Sequence, residues 1–329
     1  MIGHFDLDAI KHAAACAGEK RTVKVVHKQT GRSLEVNTRT EWYGNWRDKS
    51  GGKLAQINKQ KGTEFQWDDF EYEDIQTPEP IENIMHSAKL MVQKAVELSK
   101  AEKVYYYIGK GESMRLERST LLKYKGQREN LIKAVYLDEV SDYLKNKFSA
   151  ELVTYQEVDD AVVAGSYGKK NHFVIGAEKD FLGCGSNFFN FRKPELGMMN
   201  TNCFGSLWLN DKNEVTGIGR MFKLFQCCSI DSADNYAANC MSDVRWGAKS
   251  AYNALKDCKD DKELFQASVD VFKKLYPEPK VVTGWRGEEI EIDWIYVFQE
   301  CFDMCHLHRK ENDWINVKEI LNKLGVDHA

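Results

Sequence analysis

Ile2-Gly3-His4-Phe5-Asp6-Leu7-Asp8 is a short apolar run that ends on a carboxylate. It passes at once into a helical pattern, Ala9-Ile10-Lys11-His12-Ala13-Ala14-Ala15, closed by Gly18. A strand that ends in an acid and hands over to a helix opens many parallel α/β sheets. Further along, Ile84, Ala88, Met91, Ala95 and Leu98 recur in steps of three or four and predict a helix. Val104-Tyr105-Tyr106-Tyr107-Ile108 then reads as a second strand. Residues 131–147 read as helix, Leu152-Val153 as strand, 157–166 as helix and Phe173-Val174-Ile175 as strand. This alternation predicts a parallel sheet with its active residues at the carboxyl edge.

Two stretches stand apart from the alternation. Residues 22–38 read as a hairpin about Thr30-Gly31. From Thr40 to Pro80 the chain is polar, and it reads as a solvated surface excursion closed by Pro78 and Pro80. Beyond residue 214 the pattern is mostly helical, interrupted at Pro277 and Pro279. The organisation expected is an α/β domain over 1–213, with an insertion at about 20–80, and a helical region over 214–329.

Composition narrows the function. The 329 residues carry 46 Lys+Arg against 50 Asp+Glu, a net charge of −4, so any nucleic-acid contact must come from a local patch. No stretch nears the ~18 uncharged apolar residues of a membrane span, so no membrane partner is expected. The N-terminal run is acidic where a signal peptide would be basic, and nine cysteines show no disulfide spacing. A cytoplasmic protein with reduced thiols, and a monomer, is the expectation.

The informative feature is a series of acids at the ends of apolar runs. They are Asp6 and Asp8, Glu157-Val158-Asp159-Asp160, Glu178-Lys179-Asp180, and Asp231-Ser232-Ala233-Asp234-Asn235. Any one pair could be a helix cap or a solvated face. Brought together at one sheet edge, the set could not stay ionised without cations. Oxygen donors without His or Cys favour Mg²⁺ or Mn²⁺ over zinc. Two such ions about 4 Å apart suit in-line phosphoryl displacement.

A basic segment, 110–133, lies between the first and second clusters. It holds Lys110, Arg115, Arg118, Lys123, Lys125, Arg128 and Lys133 against Glu112, Glu117 and Glu129. Tyr124-Lys125-Gly126-Gln127-Arg128 combines an aromatic with two cations, which suits phosphate contact and base stacking.

Taken in order, these residues resemble the 5′-nuclease (flap endonuclease) family, and most closely the 5′–3′ exonucleases of tailed bacteriophages. Asp6 matches the family's first metal-binding aspartate. Tyr124-Lys125-Gly126-Gln127-Arg128 resembles Tyr-Lys-x-x-Arg, Glu157-Val158-Asp159-Asp160 resembles Glu-Ala-Asp-Asp, and Glu178-Lys179-Asp180 resembles Asp-Lys-Asp. Asp231-Ser232-Ala233-Asp234-Asn235 resembles Gly-Asp-x-x-Asp-Asn. Trp246-Gly247-Ala248-Lys249-Ser250-Ala251 is similar to a Gly-x-Lys-Thr-Ala turn, which would bind K⁺ and duplex phosphates.

The resemblance implies a PIN-like sheet domain with an arch-like segment at 110–133, then a helix-hairpin-helix-like DNA-binding region. It implies two Mg²⁺ or Mn²⁺ ions on Asp6, Glu157, Asp159, Asp160, Glu178, Asp180, Asp231 and Asp234. Lys125 and Arg128 would act on the scissile phosphate. Arg115, Arg118, Lys123, Tyr124, Gly247, Lys249 and Ser250 would contact DNA, a duplex with 5′ ends or flaps. Hydrolysis would serve phage replication or host-DNA breakdown in the host cytoplasm, with replication proteins as further partners. Three departures are visible: Glu178 for an aspartate, Ile230 for a glycine, and Gly109 where many members carry an aspartate.

Other readings are weaker. The Asp6-Leu7-Asp8 pattern fits a haloacid-dehalogenase-type phosphatase, which has no use for Glu157, Asp159 or the basic segment. A non-catalytic branched-DNA binder would explain the departures but not the retained carboxylates. Cys301, Cys305, His306 and His308 lack a second ligand pair at zinc spacing and read as core packing, as do Cys227-Cys228. Gly217-Ile218-Gly219-Arg220 precedes the Asp231 pair and is assigned no ligand role.

Overall fold

The first strand is apolar and buried almost throughout, as the central strand of a parallel sheet must be. The structure, a computed structural model, describes residues 1–45 and 51–328. Strand β1 (Ile2–Asp6) and helix α1 (Asp8–Ala17) lead into β2 (Glu19–His27), β3 (Ser33–Val36), α2 (Arg39–Tyr43), α3 (Lys53–Lys61) and β4 (Phe70–Pro78). Then follow α4 (Ile81–Ser99), β5 (Lys103–Ser113), α5 (Arg115–Arg118), α6 (Leu137–Phe148), β6 (Glu151–Tyr155) and α7 (Val158–Ser166). Strands β7 (His172–Gly176), β8 (Asn187–Asn190) and β9 (Met198–Asn200) complete the first half. The rest comprises β10 (Ser206–Leu209), β11 (Val215–Ile218), α8 (Gly219–Cys227), β12 (Ile230–Asp231), β13 (Tyr236–Ala237), α9 (Ala248–Leu255) and α10 (Asp261–Leu275). It ends with β14 (Lys280–Thr283), β15 (Glu289–Ile292), α11 (Trp294–Cys305) and α12 (Val317–Leu324).

The chain is mixed α/β and divides into two compact units. The first is Met1–Ile10, Met91–Ile132 and Leu144–Ala329; the second is Lys11–Leu90 and Lys133–Tyr143. The expected boundary at 213/214 therefore falls inside the first unit, where sheet and C-terminal helices belong together.

In the first unit a six-stranded sheet has the order β6-β5-β1-β7-β8-β9, parallel at every pairing except β8 with β9. The chain leaves β1 for β5 and β6 on one side and then crosses to β7 on the other. The carboxyl ends of β1 and β7 thus flank the switch point at which open α/β sheets form their crevice. Phe5, Ile108, Phe173, Val174 and Ile175 fill the sheet core, and Phe272, Phe298 and Phe302 lie in the core of the C-terminal helices. Cys227, Cys228 and Cys301 belong to that second core. The C-terminal region is less purely helical than the sequence suggests, since the antiparallel pairs β12–β13 and β14–β15 interrupt it.

The second unit corrects the reading of residues 40–80 as a solvated loop. Strand β4 pairs antiparallel with β2 from Glu19↔Pro78 to His27↔Phe70, giving the three-stranded order β3-β2-β4. Phe70 and Tyr72 turn toward a core of Val23, Val25, Val36, Trp42 and Leu54, while the intervening acids face outward. Glu73, for example, meets Lys24 at 3.4 Å. Within that tract Asp68 and Asp69 belong to the turn before β4, and Glu71 and Glu73 alternate along the strand with the inward Phe70 and Tyr72. The hairpin about Thr30-Gly31 forms as expected, and the helix expected over 131–147 occupies Leu137–Phe148. Among the described residues no helix is long and apolar enough to cross a membrane.

Candidate functional site

Asp6 sits at the last position of β1 and is buried; its Oδ1 accepts the backbone N–H of Asp8 at 2.8 Å. The Asp8 carboxylate in turn accepts the N–H of Gly109 at 3.0 Å. A Cβ added to Gly109 would lie 2.8 Å from Asp8 Oδ2 and 2.9 Å from Val158 Cγ2. An aspartate at position 109, which the resemblance would place there, would have to displace the Asp8 and Val158 side chains.

The second cluster forms the N-terminus of α7. Glu157 is the N-cap, and Asp159 and Asp160 lie in the first turn, where the helix dipole favours negative charge. Burial works against the charge on Glu157, but Arg115 and Lys125 outweigh it and hold this carboxyl below its usual range. Glu157 accepts from Tyr124 Oη at 2.9 Å, from Arg115 Nη1 at 2.9 Å and from Lys125 Nζ. Asp159 behaves in the opposite way. Burial, then the charges of Asp6, Glu157 and Asp180, push it well above the normal value.

Asp180 lies on the 3₁₀ turn Lys179–Gly183 that follows β7. Burial pushes its carboxyl up to about 7; Lys179 opposes this, while Asp234 and Asp231 add to it. Gln226, from α8, donates to Asp180 Oδ1. Asp231 accepts from Lys179 Nζ at 2.5 Å and from the Ala233 N–H at 2.8 Å. Those contacts outweigh burial and keep it low. Burial, with Glu157 and Asp231 adding to it, raises Asp234 against the pull of Lys125 and Arg128. Six carboxylates from four chain segments, Asp6, Glu157, Asp159, Asp180, Asp231 and Asp234, are thus linked through one electrostatic field.

The segment 123–128 is hydrogen-bonded onto the 231–235 turn. The Lys125 N–H donates to the Asp234 carbonyl at 3.0 Å, Gln127 Nε2 to the Ser232 carbonyl at 2.6 Å, and Asn235 Nδ2 to the Lys123 carbonyl at 2.8 Å. Arg128 reaches the Ala233 carbonyl at 3.0 Å and Asp234 Oδ1 at 3.2 Å. Lys125 itself has φ 55 and ψ 19, a left-handed conformation that non-glycine residues adopt at a cost of roughly 1–2 kcal/mol. With its backbone so turned, Lys125 Nζ bonds Glu157 and lies 3.7 Å from Asp234.

Several expected roles are corrected by burial and pairing. Asp160 is fully buried; Arg115 holds both its oxygens, and the His308 N–H adds a third bond at 2.8 Å. It is a structural anion, not a ligand open to an ion. Arg115 is likewise fully buried and has no surface to offer DNA. Tyr124 is buried with its hydroxyl on Glu157, so it cannot stack on a base. Arg118 is exposed and paired with Asp303 at 2.9 Å, and Lys123 pairs with Glu129. Rather than standing clear as an arch, residues 115–128 are held down along their length.

Glu178 is exposed at the N-cap of its turn, and its neighbour Lys179 makes the contact with the cluster. Gly247 is the N-cap of α9 with extended backbone, Lys249 is exposed, and Trp246 Nε1 donates to the Cys228 carbonyl at 2.7 Å. Lys179 and Gln226 were given no role from sequence. The first lay within a quoted motif, whereas nothing local marked the second.

The donor set fits hard divalent cations. It is all oxygen, and three members, Asp159, Asp180 and Asp234, are pushed up by crowding that cations would relieve. Among the described residues no three His, Cys, Asp or Glu side chains are already gathered at coordinating distance. Lys125, Lys179 and Gln226 instead contact Glu157, Asp231 and Asp180. No protein-family model matches the chain, and no curated protein matches it.

Proposed function

We propose that the first unit is a divalent-metal-dependent phosphodiester hydrolase whose reaction centre is the carboxyl edge of β1 and β7. More particularly, we propose a 5′ nuclease similar to the tailed-bacteriophage 5′–3′ exonucleases, with a PIN-like sheet and a helical DNA-binding region about α9 and α10. The observation that carries this reading is the shared field of six carboxylates beside Lys125 and Arg128.

Asp6, Glu157, Asp159, Asp180, Asp231 and Asp234 would hold two Mg²⁺ or Mn²⁺ ions. When bound, such ions supply an activated water and stabilise the leaving oxygen of the phosphodiester. Lys125 and Arg128 lie against the carboxylates of Glu157 and Asp234 and can turn to a phosphate, neutralising charge that develops on it. Lys179 balances the ionised Asp231 and so limits the net negative charge that the edge must carry. Arg115 and Asp160 hold α5 against the start of α7 and fix Glu157 in place. The exposed Arg118, Lys249 and Ser250 region would guide duplex DNA, with K⁺ at Gly247 as the family pattern suggests.

A 5′-labelled duplex with a single-stranded flap, incubated with Mg²⁺, Mn²⁺ or EDTA, tests this. Metal-dependent release of short labelled products supports the proposal, and product length separates exonuclease from flap cutting. DNA bound but intact in both metals would instead make the protein a branched-DNA binder.

A further inference from the structure

Next to the carboxylate edge, on the other side of Asp180 and Gln226, lies a cavity of about 310 Å³ enclosed by α8, α10, α11 and α12. That volume is at the lower end of the range of small-ligand sites. Its lining combines the cations Lys223, Arg220 and Arg309 with the apolar side chains of Ile315, Ile320 and Leu324.

The cations are not equivalent. Arg220 is paired with Asp261 at 2.7 Å, and Arg309 with Asp313 at 2.8 Å. Among the described residues no carboxylate lies within ion-pair distance of Lys223. Its ammonium donates to His306 Nδ1 at 2.5 Å and lies 4.3 Å from the centre of the Phe302 ring. Because His306 accepts at Nδ1, its proton sits on Nε2, which donates to Asp313 Oδ2 at 3.0 Å. Asp313 therefore orients His306 and balances Arg309, leaving Lys223 without a counter-charge. Burial pushes Lys223 down to about 8 and His306 down to about 3, so the imidazole is neutral. Lys223 is half-buried, and a partly desolvated cation without an anion is stabilised by a ligand that provides one. Lys223 also stands one helical turn before Gln226, the residue that holds Asp180, so both face the same side of α8.

We infer that this cavity binds a nucleoside 5′-monophosphate, with the phosphate on Lys223 and the base against the half-buried Ile315, Ile320 and Leu324. The choice of a nucleotide among phosphate esters rests on the nuclease reading; the need for an anion does not. Two sources share this chemistry, the 5′-terminal nucleotide of a DNA strand and a free mononucleotide.

Calorimetric titration with dTMP and with thymidine, in EDTA so that no metal bridges the phosphate, tests the inference. We expect dTMP to bind and thymidine to bind at least about tenfold more weakly. Lys223→Met should weaken dTMP by roughly tenfold or more. Leu324→Trp, which fills the cavity while keeping every charge, should do the same, with circular dichroism unchanged in both variants. No dTMP binding in EDTA, or equal binding by wild type and both folded variants, overturns the inference.

Cleavage of 5′-phosphorylated against 5′-hydroxyl duplex identifies the source. A phosphate preference lost in Lys223→Met assigns the strand terminus, and equal rates beside dTMP binding assign the free nucleotide. Binding of dTMP without DNA cleavage leaves the cavity assignment standing and removes the nuclease reading; cleavage without dTMP binding does the reverse.

Discussion

Arg115 and Asp160 form a two-pronged ion pair, Nη1 to Oδ2 at 2.7 Å and Nη2 to Oδ1 at 2.8 Å, and neither side chain reaches solvent. Arg115 Nη2 also donates to the His306 carbonyl at 2.6 Å, so the pair joins α5, α7 and the chain after α11. Asp159, its neighbour in sequence, faces other carboxylates instead. Adjacent acids thus have opposite physical roles.

Asp160→Asn should therefore destabilise the protein, because it removes the two-pronged partner of the buried Arg115 and leaves it only the single carboxylate contact with Glu157. The expected loss is about 3–5 kcal/mol, read by urea denaturation in EDTA. Asp159→Asn should leave stability unchanged or raise it, since it removes repulsion. Equal losses in the two variants would contradict the assignment.

Lys125→Ala should slow DNA cleavage by about a hundredfold or more, the scale of losing one oriented charge-stabilising group. Binding of flap DNA should stay within several-fold, because the neighbouring cations remain. Single-turnover cleavage and fluorescence anisotropy on one substrate separate the two effects. An unchanged cleavage rate would remove Lys125 from the chemistry.

The crowded acids give metal binding a pH dependence whose sign can be worked out. Asp180 is raised to about 7, so below that value a proton occupies the site that a cation would need. Mn²⁺ affinity should accordingly rise between about pH 6 and 8, with proton release measurable by calorimetry in buffers of different ionisation enthalpy. In metal-free protein the same raised carboxyl favours folding at low pH and loses that contribution as pH rises through 7. Glu157 and Asp231, shifted down, act in the opposite sense and only near their ordinary acidic range. Metal affinity that is flat across this window would count against Asp180 as a ligand.

The β14–β15 hairpin positions the segment that leads to Lys125. Trp285 Nε1 donates to the Ser119 carbonyl at 2.8 Å, and Arg286 reaches the Ser119 and Leu116 carbonyls at 2.9 and 2.7 Å. Arg286→Ala should lower the cleavage rate while leaving Mn²⁺ affinity unchanged, at a stability cost of about 1–2 kcal/mol. A shift in metal affinity instead would place this hairpin's influence on the carboxylates.

The sheet was legible because its strands carry their signal locally: Ile2–Asp6 and His172–Gly176 hold short, mostly apolar runs that end at acids or turns. Strand β4 was not, because only its inward residues are apolar and its acids read as a solvated run. Among the acids, sequence order brought Asp6, Glu157, Asp159, Asp180, Asp231 and Asp234 into one group. It could not separate Asp160 from Asp159, since the difference lies in Arg115, which is distant in the chain. The unbalanced charge of Lys223 was invisible for the same reason. Its environment is set by His306 and Asp313 on the C-terminal side of the fold.

We propose that the shared carboxylate field at the ends of β1 and β7 hydrolyses DNA with divalent metal. The most direct test is cleavage of a 5′-labelled flap duplex by wild type and Asp159→Asn, side by side in Mn²⁺, Mg²⁺ and EDTA. Wild type should give short labelled products in metal alone, and a folded Asp159→Asn none. Cleavage by Asp159→Asn at the wild-type rate, or cleavage by wild type in EDTA, would contradict it.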